Sequence, residues 1–224
     1  MKRGRIMLKN SRLIAKLLSV ILLLCPAYAL SEDLKTITLI KPQMDSSRML
    51  MQVLKDRKST RTFSPKKLPI RVLSNILWAA CGVNRPQTHG RTAPSAGNWQ
   101  EIDVYVATAD GLYLYDAMSH RLKMLHRQDI RSLTGSQPYV KEAPVNLIYV
   151  ADLSKMGNAT PDEKDFYSAT DAGFIGQNVY LYCASEGLAT VVRGTIDRDV
   201  LGKAMKLRDD QRIILAQTIG YPRQ

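Results

Sequence analysis

The ten residues Arg91-Thr-Ala-Pro-Ser-Ala-Gly-Asn-Trp-Gln100 decide how this chain is read. They stand between an apolar helical run and the strand-like stretch Glu101-Ile-Asp-Val-Tyr-Val-Ala-Thr108. Pro94 fixes one backbone angle and Gly97 permits a left-handed one. The segment offers the Ser95 hydroxyl, the Asn98 amide and backbone N–H groups from Ser95 onward. Such residues make ordinary turns, so two readings stand: a helix-to-strand turn, or a polar cradle for a flat, hydrogen-bonding ligand. A basic cluster upstream, beginning at Arg57, favours the cradle.

Outward from this loop the chain is well punctuated. Upstream, Pro69 opens a helix at its first position, with Leu73, Ile76, Leu77 and Ala80 on one face and Gly82 at its end. Before it, Met49, Leu50, Val53 and Leu54 share a face of a helix expected from Ser46, with Asp45 or Ser46 as cap. Ser64-Pro65 breaks that pattern. Downstream, Leu112–Tyr115 and Arg121–Leu125 alternate as a hairpin around the turn 116–120. Two short helical segments are expected within 127–142, then a β run from Val145 to Ala151 that ends at Asp152. Residues 153–162 read as a polar loop.

A long helix is expected over about 162–186, with Ala172, Ile175, Gly176, Val179, Tyr182 and Cys183 as its buried stripe. The small residues Ala172, Gly173 and Gly176 would let another backbone approach, and Gly187 suits the residue after the cap. A strand at 188–192, a helix at 197–205 and a strand at 211–219 complete the order. Without a regular βαβ alternation, the fold class is α+β, a mostly antiparallel or mixed sheet packed by helices.

The chain of 224 residues accommodates one large domain plus an extension, and 45% hydrophobic with 23% charged residues is an ordinary globular balance. Its net charge of +12 is uneven: residues 1–29 hold six Lys or Arg and no acid, so the rest carries +6. No like-charge block or aromatic-interleaved basic stripe marks a nucleic-acid surface; a small anionic ligand suits the modest surplus better.

The basic stretch 1–16, the apolar run Leu17–Leu24 and Ala27-Tyr-Ala29 read as a secretory signal over 1–29, too short to span a bilayer comfortably. The mature chain would then begin at Leu30, periplasmic or secreted. A later start would leave it cytoplasmic, and an uncleaved segment would anchor it to the membrane. Residues 30–45 are a lead-in and 46–224 the domain. Cys81 and Cys183 sit in apolar patterns and read as buried thiols, with a disulfide between them left open. The three histidines show no metal-ligand spacing, so no metal is expected.

Arg57-Lys58-Ser59-Thr60-Arg61 packs three cations and two hydroxyls into five residues at a helix end. Cations favour a helix C-terminus, but the interleaved hydroxyls and the Phe63 anchor suit a phosphate and a polarised heterocycle. Here the chain resembles the nitroreductase family of FMN-dependent oxidoreductases over nearly all of 46–222. Four motifs carry the resemblance, in order: Arg57, Lys58, Ser59, Arg61 and Phe63; then Pro94, Ser95, Ala96, Asn98 and Gln100; then Gly173, Gln177 and Asn178 with the turn Gly187, Leu188 and Thr190; and last Gly220 and Pro222. Leu77–Gly82, Arg91–Pro94 and Leu112–Asp116 look most like the branch with the azoline dehydrogenases of peptide natural products.

The resemblance implies an intertwined homodimer with FMN between subunits. Arg57, Lys58, Ser59 and Arg61 of one subunit would reach the phosphate, the ribityl chain and the N1/O2 side of the ring. Pro94, Ser95, Ala96, Gly97 and Asn98 would come from the other. Val192, Arg193, Gly194 and Thr195 match the segment whose backbone faces flavin N5. A cation near N1 and O2 favours the reduced ring, and a backbone N–H at Gly194 or Thr195 suits N5.

Hydride chemistry belongs to the cofactor, so no indispensable acid, base or nucleophile is expected. Arg193 replaces a usually apolar residue and would reach either the ligand or the surface. Gln177, Asn178 and the tyrosines at 113, 115, 180 and 182 read as packing or interface residues. Arg223 stands where relatives carry basic residues that help hold the phosphate. The implied activity is two-electron transfer between a reduced donor such as NAD(P)H and a small electron-poor or cyclic substrate. Oxidation of a peptide heterocycle, and flavin binding without turnover, are the alternatives. Variable loops at 83–91 and 153–165 would shape the substrate pocket.

Overall fold

The computed structural model describes residues 34–44 and 48–223. The expected signal at 1–29, the first lead-in residues and the expected caps Asp45 and Ser46 lie outside them. In chain order the elements are β1 (Thr36–Thr38), α1 (Leu50–Asp56), α2 (Ile70–Cys81), β2 (Val83–Arg85), β3 (Gly90–Arg91), β4 (Ile102–Thr108), β5 (Gly111–Asp116) and β6 (Arg121–His126). Then come α3 (Tyr139–Glu142), β7 (Val145–Asp152), α4 (Pro161–Ser185), β8 (Ala189–Arg193), α5 (Arg198–Met205) and β9 (Gln211–Gly220). Among the described residues no helix is long and apolar enough to cross a membrane.

Seven strands form one sheet in the order β1-β6-β5-β4-β7-β9-β8, each neighbouring pair antiparallel. The α+β reading with an antiparallel sheet therefore holds. Two layers of helix explain the apolar runs. On one face α2 brings Leu73, Ile76, Leu77 and Ala80, and α4 brings Ala172, Ile175, Val179 and Cys183, against Val104, Val106, Leu147 and Tyr149. On the other, Leu201 and Met205 of α5 lie over Tyr105, Ile148, Val150, Ile213 and Ala216. Strand β7 runs between both layers and is buried at all eight positions, so its sequence is a near-continuous apolar run instead of an alternating one. Each large side chain buried in these layers contributes about 1.5–3 kcal/mol.

The ends of α4 are set locally. Thr160 accepts from the Glu163 N–H, Glu163 reaches back to the Thr160 N–H, and Pro161 opens the helix. At the other end Gly187 takes φ +68°. Where α4 crosses β8 and β9 it does so at Gly176, where a Cβ would lie 3.3 Å from Val192 Cγ2 and 3.5 Å from Gln217 Oε1. Gly173, by contrast, is exposed and open, so only part of the small-residue stripe marks a close approach within the chain.

Several boundaries differ from expectation. Helix α1 starts at Leu50 with Met49 at the N-cap and no side-chain cap. Of its expected face only Val53 is buried; Met49 is 82% and Leu50 62% exposed. Pro69 is the N-cap of α2, so the helix begins one residue later than expected. The lead-in contributes β1 at the sheet edge, β2 and β3 form a small ribbon within 83–91, and a 3-10 turn with a buried Met156 occupies Leu153–Met156. These pieces are two to four residues long, too short to carry a hydrophobic period. Cys81 and Cys183 are free and buried, and burial pushes the Cys81 thiol up to about 11 and the Cys183 thiol upward as well.

A buried polar link locks α4 to the sheet. Tyr149 Oη donates to Gln217 Oε1 at 2.5 Å, and Gln217 Nε2 donates to the Gly176 carbonyl (3.3 Å) and to Thr190 Oγ1 (3.0 Å). Tyr149→Phe leaves the fully buried Gln217 oxygen without its donor. It is expected to lower the unfolding free energy by about 1–3 kcal/mol, read from the denaturant midpoint at unchanged slope.

Candidate functional site

The basic cluster is pinned to the edge of the sheet. Arg57 caps α1 through its own N–H, which donates to the Val53 carbonyl. The chain then runs beside β8, where the Thr60 N–H donates to the Thr190 carbonyl at 2.9 Å. Phe63 bridges to Pro222 and is fully buried among Ala143, Ala189 and Val191, with the Tyr139 ring 5.5 Å away. An anchor after the cluster holds the preceding residues at the surface: Lys58, Ser59 and Arg61 are all exposed.

Tyr180, on α4, joins two of the motifs. Its hydroxyl lies 2.8 Å from Ser59 Oγ and accepts the Val192 N–H at 2.9 Å. The Arg57 guanidinium sits 5.2 Å from the centre of the same ring, a cation–π contact. One side chain thus ties the basic cluster to the turn after β8. In that turn Gly194 and Thr195 are exposed, and neither N–H is engaged by a backbone acceptor. A Cβ at Gly194 would meet only Leu215 Cδ2, at 3.9 Å, so the turn faces open space.

Arg193 corrects the sequence reading. It reaches neither ligand nor surface with its side chain, which is turned inward and 5% exposed. Its Nε donates to Thr218 Oγ1 (3.1 Å) and one terminal nitrogen to Asn146 Oδ1 (2.9 Å), while the other donates to the Thr134 carbonyl. Burial lowers its pKa to about 10. Only its backbone remains available at the turn.

The Pro94–Asn98 loop is built around other groups. The Ser95 hydroxyl accepts the Gln100 N–H (2.8 Å) and donates to Glu101 Oε2 (3.3 Å). The Ala96 N–H donates to Asp171 Oδ2 of α4 at 3.0 Å, and Asn98 Oδ1 accepts from Gln100 Nε2 at 3.0 Å. Gly97 and Asn98 both take positive φ, +56° and +54°, which turns the loop tip outward. Pro94, Gly97 and Asn98 are exposed, and Ser95 and Ala96 half-buried.

Helix α4 therefore carries both halves. Asp171 holds the loop and Tyr180 holds the basic cluster. At 1.5 Å and 100° per residue they stand about 13 Å apart along the axis and about half a turn apart around it, at the two margins of the buried stripe. Within one chain the structure brings Arg57, Ser59 and Val192–Thr195 together and leaves Pro94–Asn98 on the other flank. A cavity of about 500 Å³ at the start of α2 is lined by none of these residues. Its rim includes Arg223, which pairs with Glu142 at 2.9 Å. Gln177 is exposed and Asn178 half-buried. Tyr180, Glu101 and Asp171 were not singled out as site residues in the sequence.

The nitroreductase family model matches residues 54–221. A nitroreductase homologue from Methanocaldococcus jannaschii is 30% identical over 170 residues, covering 71% of this chain and 85% of that protein. Among solved structures, a nitroreductase homologue from Ralstonia eutropha JMP134 superposes with a TM-score of 0.81 at 46% identity, over 84% of this chain and 90% of that one. The Escherichia coli microcin synthetase complex shares the fold at 20% identity, with a TM-score of 0.65 over 83% of this chain and 78% of that one. Fold and site define an oxidoreductase-type α+β protein. This chain belongs to the nitroreductase family.

Tyr180→Phe keeps the ring beneath Arg57 and removes both hydroxyl contacts. The expected loss is about 0.5–1.5 kcal/mol per hydrogen bond, with faster hydrogen exchange at the Val192 amide. An unchanged Val192 rate would show that the hydroxyl does not hold the turn.

Proposed function

We propose that this chain is an exported, FMN-dependent oxidoreductase that moves two electrons, as hydride, between a reduced donor and a small electron-poor or cyclic substrate. The observation that carries this reading is the convergence at Tyr180 of Arg57, Ser59 and the Val192 N–H, which sets the exposed Lys58 and Arg61 and the unengaged N–H groups of Gly194 and Thr195 on one flank of α4. An anionic, planar, hydrogen-bond-accepting cofactor fits that set. Bound FMN would supply the hydride chemistry.

The chain's own residues bind and orient. Lys58 and Arg61 offer charge to a phosphate, and Ser59 a hydroxyl to the ribityl chain. Arg57, fixed over Tyr180, presents a cation to the edge of the ring where negative charge collects on reduction. The N–H groups of Gly194 and Thr195 stand ready for a ring nitrogen. Among the described residues no carboxylate is paired with Arg57, Lys58 or Arg61; we assign proton delivery to solvent or substrate.

A second copy would complete the site, since Pro94–Asn98 lies on the other flank of the same helix. The exposed N-cap Met49, Leu50 and Met51 of α1, and Phe166 and Phe174 of α4 supply an apolar surface for that partner. NADH or NADPH is the donor we propose on the family's pattern. Export, read from residues 1–29, would place the enzyme where those donors are scarce and favour another reductant.

Purified protein should show flavin absorption with about one FMN per chain, and Arg57→Ala with Arg61→Ala should abolish it. Stoichiometric flavin in that double variant would sink the site assignment. Co-expressing it with a Ser95→Ala, Asn98→Ala chain tests the shared site. A mixed dimer regains one of two sites and about half the flavin; a flavin-free mixed dimer would overturn sharing.

A further inference from the structure

Behind the Pro94–Asn98 loop lie two buried carboxyl groups that the proposed chemistry does not use. Glu101, at the foot of β4, is fully buried, and Asp171 of α4 is 2% exposed. Both serve the loop: Glu101 Oε2 accepts from Ser95 Oγ, and Asp171 Oδ2 accepts from the Ala96 N–H. Ser95 Oγ in turn accepts the Gln100 N–H. Glu101 Oε1 is buried with no donor, and the group beside it, the Asp171 carboxyl, is another acceptor unless one of the two carries a proton.

The other charged and titratable groups facing this pair are otherwise directed. Arg91 of β3 and Cys81 of α2 line a void of about 20 Å³ with Ser95, Gln100 and Asp171. The Arg91 Nε is buried without a hydrogen-bond partner and bonds neither carboxyl. Lys155 is committed to Asp103 Oδ1 at 2.7 Å, with the Gln100 carbonyl at 3.5 Å. Among the described residues no cation bonds either carboxyl. Burial disfavours the charged form and two like charges side by side repel, so the Glu101 carboxyl holds its proton to higher pH than it would in water.

We propose that Glu101, as the neutral acid, is the positioning residue that shapes the Pro94–Asn98 loop for its ligand. Its Oε1–H donates to Asp171 while its Oε2 accepts from Ser95, so a continuous hydrogen-bond chain runs from the Gln100 N–H to the Ala96 N–H. The proton stays in place and takes no part in turnover. This rests on the reading above that the loop is one half of the cofactor site.

The direction of titration agrees. Burial first, then the Asp171 charge, raises the Glu101 pKa above the ordinary carboxylate value, against the opposing bonds from its own backbone and Ser95. A raised folded value means that the contribution is complete below the unfolded pKa. It is lost as pH rises through the folded one. Above that point two buried anions repel, and the loop loosens.

Trp99 reports on the loop directly. It lies next to Asn98, with its ring 5.7 Å from that of Tyr167, and in a Trp78→Phe background it is the sole tryptophan. Its emission and acrylamide quenching are to be followed from about pH 5 to about pH 9, above the range in which exposed carboxylates titrate. FMN affinity is measured in parallel by flavin fluorescence. Wild type is expected to show a one-proton rise in Trp99 accessibility with about tenfold weaker FMN binding above it, the scale of one lost hydrogen bond.

Glu101→Gln retains a neutral donor and acceptor. It should hold the loop and bind FMN at all pH values, without a transition. Glu101→Ala should be loose throughout; if it does not fold, the Gln variant carries the test. A flat wild-type Trp99 response, or a Glu101→Gln variant that follows the wild-type transition, would overturn the proposal. A Glu101-dependent Trp99 transition in a protein that binds no FMN would leave this inference standing and remove the flavin reading.

Discussion

The close passage of α4 over the sheet at Gly176 fixes everything that surrounds the proposed site. A Cβ there would crowd Val192 at 3.3 Å and touch Gln217 at 3.5 Å, the first in the strand that leads to the candidate flavin-facing turn, the second in the buried link to Tyr149. Because the helix can approach, the Gly176 carbonyl is reached by Gln217, and the helix is locked in rotation as well as in height. The margins of its buried stripe are then determined by helical geometry. Asp171 comes to one margin and Tyr180 to the other. Each holds a loop from a distant part of the sequence, one at Ser95–Ala96, the other at Arg57–Ser59.

This division explains why some of the molecule was legible and some was not. Periodicity gave α2, the buried stripe of α4 and the long strands, because burial against two layers imposes a pattern over many residues. It could not give β1, β2 or β3, nor the start of α1, where no side chain caps the helix. The motif residues Arg57, Ser59 and Pro94–Asn98 were recognisable by type. The residues that hold them were not. Tyr180 acts on Ser59 across 121 positions, and a single tyrosine in a helix looks the same whether it packs or bridges. Glu101 reads as the polar foot of a strand, and its neighbour Asp171 belongs to a different element.

Arg193 failed for a related reason. Strand β8 has buried residues on both faces, so its alternation does not say which way residue 193 points. An arginine in such a place is usually assigned to a ligand or to water. Here three neutral acceptors from β7, β9 and the turn before α3 receive it. A buried cation without an acid is costly, and the lowered pKa records that cost. Its hydrogen bonds tie β8 to its neighbours just before the chain leaves the sheet, which fixes the point from which Gly194 and Thr195 project.

Charge sets the two halves of the site apart. The Tyr180 flank displays Arg57, Lys58 and Arg61, with no acid paired to them among the described residues. The Asp171 flank displays an uncharged loop, Pro94 to Asn98, backed by two carboxyl groups. If both were ionised, the second half would set two buried negative charges behind a surface proposed to close over an anionic cofactor, and the low dielectric of the interior would magnify the repulsion. One proton shared between Glu101 and Asp171 halves that charge and supplies the donor that Glu101 Oε1 otherwise lacks. The same proton that completes the hydrogen bonding of the loop thus removes the electrostatic objection to placing it opposite the cationic flank. Loop geometry and ligand charge then require the same protonation state of Glu101.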